Sequence, residues 1–197
     1  MKTVVAFDFD GTLTKKDSFI EFIKFSKGSF KFYISTPLIG FLWLLSKLKL
    51  VETHKAKAVI FSYFFKNMSL EKFNSYCNNF EVEIDKMLKQ DAKSVIKNQL
   101  YKHSNVLIVS ASIENWIKPW ATSNGINTVL ATKIAINAKA NLTGKFSSQN
   151  CVGKEKVNRV LEVFPNRETY KLVVYGDSSG DKALMAIADK VFWQKLK

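Results

Sequence analysis

The chain has 197 residues and is strongly basic, with 30 Lys and Arg against 17 Asp and Glu and a formal net charge of +13. Hydrophobic residues make up 47% of the chain and only 3 residues are proline, which excludes a disordered or low-complexity protein and allows a sizeable core. The charge would attract polyanions, which include nucleic acid, an anionic membrane surface and phosphorylated substrates. Because the lysines are dispersed, the charge alone favours a solubilising basic surface.

The cysteines and histidines do not have the spacing of a metal site. Cys77 and Cys151 are far apart, which favours a reducing compartment over a disulfide framework. His54 and His103 likewise lack partners at ligand spacing in the sequence. Asp8 interrupts the first apolar run after a few residues, so no signal peptide is predicted. We therefore expect a cytoplasmic protein, with a peripheral position at the inner membrane face as the alternative.

The first stretch of interest is a short apolar run, Val4 to Phe7, which predicts a strand buried on both faces. Two carboxylates, Asp8 and Asp10, follow it, and Gly11 and Thr12 come next. A buried carboxylate without a partner is costly, so a hard cation with oxygen ligands is expected nearby. A simple Asp-Gly turn would explain Asp10 but would leave Asp8 unexplained.

Two later apolar runs end in a similar way. One runs from Asn105 to Ser110, and the other runs from Lys171 to Gly176 and is followed by Asp177 and Asp181. In a parallel α/β sheet, ligands bind at the carboxyl ends of the strands. The three runs therefore predict that Asp8, Ser110 and Asp177 meet at one edge of a sheet.

Between the first two of these strands the pattern is helical. Residues 14–103 show helical periodicity, with Asp17 and Ser69 as expected N-terminal caps, so an all-helical insertion is predicted. The expected helices and strands of the remaining chain follow in order: helix 113–123, strands 128–135 and 140–146, helix 153–164, strand 171–175, helix 182–188 and one last short strand within 189–197.

One part of the insertion, residues 32–46, is uncharged and bounded by Lys31 and Lys47. A spanning helix needs roughly 20 apolar residues, and this segment is shorter and carries Pro37 and Gly40. The sequence supports two interpretations of this segment equally. The segment is either a buried helix of the insertion or an interfacial helix that contacts an anionic membrane through residues 31–49.

These motifs resemble those of the haloacid dehalogenase superfamily. The first motif is similar to residues 8–12, the second to Ser110 and the fourth to residues 176–181, while Lys154 or Lys156 would be the third. The pattern Cys151-x-Gly153-x-x-Lys156-Val157 is similar to lipid-phosphatase-like members and favours Lys156. Alignment with phosphoserine phosphatases favours Lys154. We choose Lys156 as the prediction.

The resemblance implies a Rossmann-like parallel sheet, built from residues 1–13 and 104–197, with residues 14–103 as a helical cap. It also implies roles for single residues. Asp8 would be the nucleophile and Asp10 the general acid and base, and the lysine would neutralise the phosphate. Gly11, Thr12, Ser110 and Ala111 would contact the phosphoryl group. A Mg²⁺ ion would be held by Asp8, by the main-chain carbonyl of Asp10 and by Asp177, with Asp181 orienting a water.

The expected function is therefore a Mg²⁺-dependent phosphomonoester hydrolase that acts through an aspartyl-phosphate. Its substrate would be a lipid phosphate such as phosphatidylglycerophosphate, because the apolar cap segment and the Cys151–Val157 pattern are similar to phosphatases of that lipid. Phosphoserine or another small metabolite is the alternative. An alternative of another class is a catalytically silent module that binds a membrane surface. No nucleic-acid partner is expected, since no aromatic and basic binding motif is present.

Overall fold

The computed structural model describes residues 1–48, 50–103 and 105–197, apart from the side chains of residues 38, 43 and 47. Within these residues, a five-stranded sheet has the order β3-β2-β1-β6-β7, and all of its neighbouring strands are parallel. β4 and β5 form a separate antiparallel hairpin. The strands are β1 (Lys2–Phe7), β2 (Asn105–Ile113), β3 (Thr128–Thr132), β4 (Ile134–Ile136), β5 (Leu142–Phe146), β6 (Tyr170–Gly176) and β7 (Lys190–Trp193).

The central strand β1 is buried on both faces, as its unbroken apolar run predicts. Val5 and Phe7 point to a core shared with the helices that follow β1. Val4 and Ala6 point to the opposite face, where a second hydrophobic cluster lies. The α/β class with a parallel sheet is thereby confirmed.

The described residues form ten α-helices, of which the first seven lie between β1 and β2. Asp17 caps α1 by accepting a hydrogen bond from the Ile20 N–H, and Ser69 caps α5 by accepting one from the Lys72 N–H, as expected. The helices are α1 (Ser18–Lys27), α2 (Ser29–Ile34), α3 (Thr36–Lys47), α4 (Thr53–Phe65), α5 (Leu70–Asn79), α6 (Glu81–Met87), α7 (Ala92–Lys102), α8 (Glu114–Ser123), α9 (Lys154–Val163) and α10 (Lys182–Ala186).

The apolar segment 32–46 is not one helix. It is divided between α2 and α3 at Ser35, whose main-chain N–H bonds the carbonyls of Lys31 and Phe32. Pro37 does not interrupt α3, because it lies in the first turn, where a helix needs no N–H donor. Among the described residues, no helix is long and apolar enough to cross a membrane.

The expected strand 128–135 is also divided. β3 completes the edge of the main sheet and ends at Thr132, whose hydroxyl donates to the Ala111 carbonyl at 2.9 Å. The chain then turns, and β4 pairs with β5 instead. This hairpin packs against α4, where a side chain at Gly144 would place its Cβ 2.4 Å from the Ser62 hydroxyl oxygen. The hairpin therefore connects the sheet to the helical insertion.

The helix α7 lies against the sheet, and its Gln99 amide donates to the Tyr175 hydroxyl of β6 at 3.1 Å. The division into a core of residues 1–13 and 104–197 and a cap of residues 14–103 remains a prediction. Its boundary residue Ser104 lies outside the described residues.

Candidate active site

The site lies at the carboxyl ends of β1, β2 and β6. The strand order reverses at β1, which pairs with β2 on one side and with β6 on the other. Phe7 is in register with Ile108 and with Tyr175, so Asp8, Ser110 and Asp177 follow at the same edge. This switch point is where ligands bind in open α/β sheets. The predicted convergence of the three strands is confirmed.

The central contact is made by Lys156, whose side chain is only 3% exposed. Its Nζ lies 2.5 Å from Asp8 Oδ1 and 2.6 Å from Asp181 Oδ1. The lysine reaches these carboxylates from the first turn of α9. Lys154 lies at the start of the same helix but is exposed. The geometry therefore favours Lys156 over Lys154 as the lysine of the site.

Burial and charge act against each other in this group. Burial raises the pKa of Asp8 to about 6, although the ammonium of Lys156 opposes the shift. Burial lowers the pKa of Lys156, but the carboxylates of Asp8 and Asp181 outweigh it and hold that pKa above its usual range. Burial likewise raises the pKa of Asp181, and here Lys156 outweighs it, so the net shift is downward. Lys156 is therefore held as a cation between two carboxylates.

Asp177 lies close to Asp8, and the two are joined by one hydroxyl group. Thr12 Oγ1 is 3.1 Å from Asp8 Oδ2 and 2.9 Å from Asp177 Oδ1, although a hydroxyl can donate to only one of them at a time. Gly11 makes this approach possible. Its φ is +82°, and a Cβ there would lie 2.3 Å from Asp177 Oδ2. The hydroxyl of Thr12 thus contacts the carboxylates, and its predicted phosphate contact stays a prediction.

The acidic residues could hold a hard cation. One oxygen each from Asp8, Asp177 and Asp181 lies within 4.8 Å of the others. Both Asp181 oxygens already have donors, since Oδ1 accepts from Lys156 and Oδ2 accepts from the N–H and hydroxyl groups of Ser178. Asp8 Oδ1 accepts from Lys156, whereas Asp8 Oδ2 and Asp177 Oδ1 share the single proton of the Thr12 hydroxyl. Such a pair of carboxylates fits the oxygen ligands that Mg²⁺ prefers.

Asp10 has a different environment from Asp8. Its Oδ1 accepts the main-chain N–H of Ser18 at 2.7 Å, at the start of α1. Burial and, to a smaller extent, the negative charge of Asp17 raise the pKa of Asp10 to about 7. Two carboxylates separated by a single residue therefore differ in their hydrogen-bond donors, because Asp8 accepts from the Lys156 ammonium and Asp10 accepts from a main-chain amide.

Ser110 and Ala111 form the next part of the pocket. The Ser110 oxygen accepts the main-chain N–H of Ser112 at 3.0 Å, so its hydroxyl proton can point to a ligand. The pocket has a volume of about 460 Å³. Asp8, Asp10, Ser110, Ala111 and Lys156 line it from the sheet side. One cavity thus receives residues from each of the first three motifs, whereas Gly11 and Thr12 are not among the residues that line it.

Residues of the helical insertion that the sequence motifs did not indicate also line this pocket. The main one is Lys57 of α4, whose Nζ donates to the Ala111 carbonyl at 3.0 Å and lies 5.0 Å from the centre of the Phe19 ring. Burial lowers its pKa, and Asp17 and Asp10 oppose that shift. The sequence contained one indication of this position. Lys57 lies between Ala56 and Ile60, which are buried residues of the apolar helix α4, so its side chain was a candidate to point inward.

Comparison with known proteins identifies the family. A model of haloacid dehalogenase-like hydrolases matches residues 5–186. Protein CicA of Caulobacter vibrioides is 34% identical over 192 residues, which cover 95% of this chain and 83% of that protein. The chain therefore belongs to the haloacid dehalogenase-like hydrolase family, and the expectation of an enzyme of this class is confirmed.

Solved structures show the same fold. A protein of unknown function from Bordetella pertussis Tohama I has a TM-score of 0.85 at 17% identity, covering 97% of this chain and 89% of its own. A substrate-bound phosphoserine phosphatase has a TM-score of 0.65 at 14% identity, and the match covers 98% of this chain and 86% of that chain. A phospho-aspartyl intermediate analogue of phosphoserine phosphatase has a TM-score of 0.61 at 15% identity, and the match covers 100% of this chain and 95% of that chain.

Proposed function

We propose that the protein hydrolyses phosphate monoesters, with Asp8 as nucleophile and Asp10 as general acid and base. The observation that carries this proposal is the contrast between the two carboxylates. Asp8 contacts the Lys156 ammonium, which favours its ionised form. Burial raises the pKa of Asp8 to about 6 and that of Asp10 to about 7, so near neutral pH Asp10 retains a proton in a larger fraction of molecules than Asp8 does. Carboxyl groups whose environments differ in this way are suited to separate roles as nucleophile and proton donor.

The reaction would take place in two steps. A carboxylate oxygen of Asp8 bonds to phosphorus as the ester bond breaks, and the leaving oxygen takes the proton of Asp10. Asp10, now ionised, then takes a proton from water, whose oxygen bonds to phosphorus while the bond to Asp8 breaks. The products are the alcohol and inorganic phosphate, and both carboxyl groups return to their starting states.

The other pocket residues would stabilise the phosphoryl group. The Lys156 ammonium neutralises its charge, and the hydroxyl of Ser110 with the main-chain N–H groups of Gly11 and Ala111 donates hydrogen bonds to its oxygens. Thr12 would keep Asp8 and Asp177 aligned.

A Mg²⁺ ion fits the acidic side of this site. Asp8, Asp177 and the main-chain carbonyl of Asp10 would hold it, and when bound it supplies positive charge for the phosphoryl oxygens. Asp181 is assigned an orienting role, because its oxygens are already bonded to Lys156 and Ser178.

The substrate class that we propose is a lipid phosphate such as phosphatidylglycerophosphate, reached by peripheral contact with an anionic membrane. Phosphoserine is the alternative, since several proteins of the same fold are phosphoserine phosphatases. Phosphate release should be measured from this lipid in mixed micelles, from phosphoserine and from sugar phosphates. The highest kcat/KM then decides between the two proposals.

The replacement Asp8→Asn tests the mechanism. We expect phosphate release from an aryl phosphate with Mg²⁺ to fall by at least about 10⁴-fold, because the nucleophile is lost. The control is Glu162→Gln, which removes an exposed carboxylate on α9. Melting curves check that both variants fold. Turnover retained by a folded Asp8→Asn variant would refute the assignment, and a folded wild type without activity on any phosphate would favour the silent binding module.

A further inference from the structure

An apolar surface is exposed on α2, α3 and the chain that follows them. Phe30 is 81% exposed, Phe41 58%, Leu44 53% and Leu48 60%. We call this the α2–α3 surface and define it by its exposed apolar residues: Phe30, Tyr33, Ile34, Pro37, Phe41, Leu44, Leu48 and Leu50. Exposed apolar residues that occur singly need no explanation, but a contiguous group usually marks a binding surface.

The spacing shows that these residues share one side of α3. Pro37, Phe41, Leu44 and Leu48 are four, three and four residues apart, which is the repeat of one helical face. The opposite side is anchored in the core by Ile39, which is buried. At the junction with α2, the hydroxyl groups of Ser35 and Tyr63 lie 3.5 Å apart and connect this junction to α4. The exposed side is therefore the outer face of an anchored helix.

The charges around this surface are almost all of one sign. Residues 22–51 contain no Asp or Glu, whereas Lys24, Lys27, Lys31, Lys47 and Lys49 fall within them. Burial and the like charges of Lys31 and Lys72 lower the pKa of Lys27 to about 8. Lys24 is paired with Glu21 at 2.7 Å, but Lys27 and Lys31 repel each other, and a negatively charged partner would relieve that repulsion.

The surface also leads to the mouth of the pocket. The hydroxyl groups of Ser46 on α3 and Thr53 on α4 lie 2.8 Å apart. Thr53 and its neighbour His54 line the pocket that contains Asp8. The carboxyl-terminal end of α3 therefore lies close to the entrance of the site.

We propose that the α2–α3 surface docks on an anionic membrane interface, with its aromatic and aliphatic side chains among the acyl chains and its lysines at the headgroups. The combination of exposed apolar residues with a basic border matches this partner and does not match an acidic peptide or a nucleic acid, which would leave the apolar residues in water. This proposal adds a docking surface to the proposed lipid-phosphate function. Only the biological purpose of docking rests on that function, because membrane binding itself does not require catalysis.

Co-sedimentation with lipid vesicles tests this directly. The probes are vesicles of phosphatidylcholine with about 30% phosphatidylglycerol, against vesicles of phosphatidylcholine alone. We expect binding to the anionic vesicles only, weakened by salt, and we expect the double variant Phe41→Ser/Leu44→Ser to bind at least about tenfold less. Replacing Lys27 and Lys31 by Gln should weaken binding as well. The matched control is Tyr101→Ser with Lys97→Gln and Lys102→Gln, an exposed aromatic and two exposed lysines on α7.

The measurement is repeated with the Asp8→Asn variant, so that binding is read independently of catalysis. Vesicle binding by this variant supports docking even if no phosphatase activity is found. Absence of binding to anionic vesicles, or equal binding by the Phe41/Leu44 variant, would overturn the proposal. Sedimentation velocity covers one further outcome. A wild-type dimer that ignores vesicles and becomes monomeric in the Phe41/Leu44 variant would show that a second copy covers the surface.

Discussion

The two sides of the pocket are built differently. On the sheet side, the charged groups contact one another directly, as Lys156 does with Asp8 and Asp181. On the side of α4, the charge comes from a single long side chain, Lys57, which is half-buried and bonded to a main-chain carbonyl of the sheet side. The sheet side is thus a network of paired charges, whereas α4 contributes one cation that is bonded to a neutral main-chain carbonyl.

This difference separates two tasks. A network of paired charges holds its members in position and can supply the electrostatic stabilisation that phosphoryl transfer needs. A lysine that extends from a helix over the cavity has rotamers available and can meet different substrates. We therefore expect changes on the sheet side to affect kcat and changes on α4 to affect KM.

Among the changes that test this comparison of the two sides, the largest effect is expected from Lys156→Met. The side chain fits the space, but Asp8 and Asp181 lose their counter-charge, so the activity on an aryl phosphate should fall by about 10² to 10³-fold. The pKa of Asp8 should rise, and the acidic limb of the pH profile of kcat/KM should move to higher pH.

Lys154→Met is the matched control, because it removes an exposed lysine two residues away on the same helix. It should leave kcat and the pH profile nearly unchanged. If this control loses activity and Lys156→Met does not, the third motif has been assigned to the wrong lysine.

A smaller effect is expected from Lys57→Gln on α4. We expect KM for a phosphorylated substrate to rise by about three- to tenfold, with less change in kcat, because the lost charge lies on the wall of the pocket, where it is bonded to the Ala111 carbonyl. Steady-state kinetics with Lys55→Gln provides the control, since Lys55 is exposed on the same helix and lies near Glu52. A fall in kcat at constant KM would show that both sides of the pocket take part in the chemistry.

The same difference explains what the sequence could predict. The sheet side is encoded by local patterns, such as the apolar run that ends at Asp8, and parallel pairing then brings Asp177 to the same edge. The choice of Lys156 came from a family resemblance, because both lysines lie in the first turn of one helix. Lys57 could not be placed, since the orientation of α4 over the sheet depends on its packing against the β4–β5 hairpin and not on a local pattern.

The division of residues 32–46 at Ser35 was missed for a related reason. Pro37 and Gly40 were the expected interruptions, but proline is accommodated in the first turn of α3 and Gly40 lies within the helix. The sequence likewise did not decide whether one face of α3 is exposed, because a buried helix and an interfacial helix can have the same composition. Which side faces the core is decided by contacts such as that of Ile39, far from the local pattern.

The smallest effect concerns stability, and it tests whether the sheet side needs a cation. The pKa values of Asp8 and Asp10 are raised to about 6 and about 7, so the folded protein binds these protons more tightly than the unfolded chain. Their contribution to stability is full below the unfolded value near pH 4 and is lost as the pH rises through 6 to 7. Asp181 has a lowered pKa, so its contribution is lost only at acidic pH, below this range.

In EDTA we therefore expect the Tm to fall by about 5 °C between pH 5 and pH 8. Mg²⁺ should restore it at pH 8 and have little effect at pH 5, where protons compete for the same oxygens. Asp10→Asn should flatten the profile, and NaCl at equal ionic strength controls for screening. A Tm in EDTA that stays constant or rises over this range would mean that the carboxylates ionise normally. In that case Asp10 could not keep a proton for the leaving group, and the two aspartates would not differ in role.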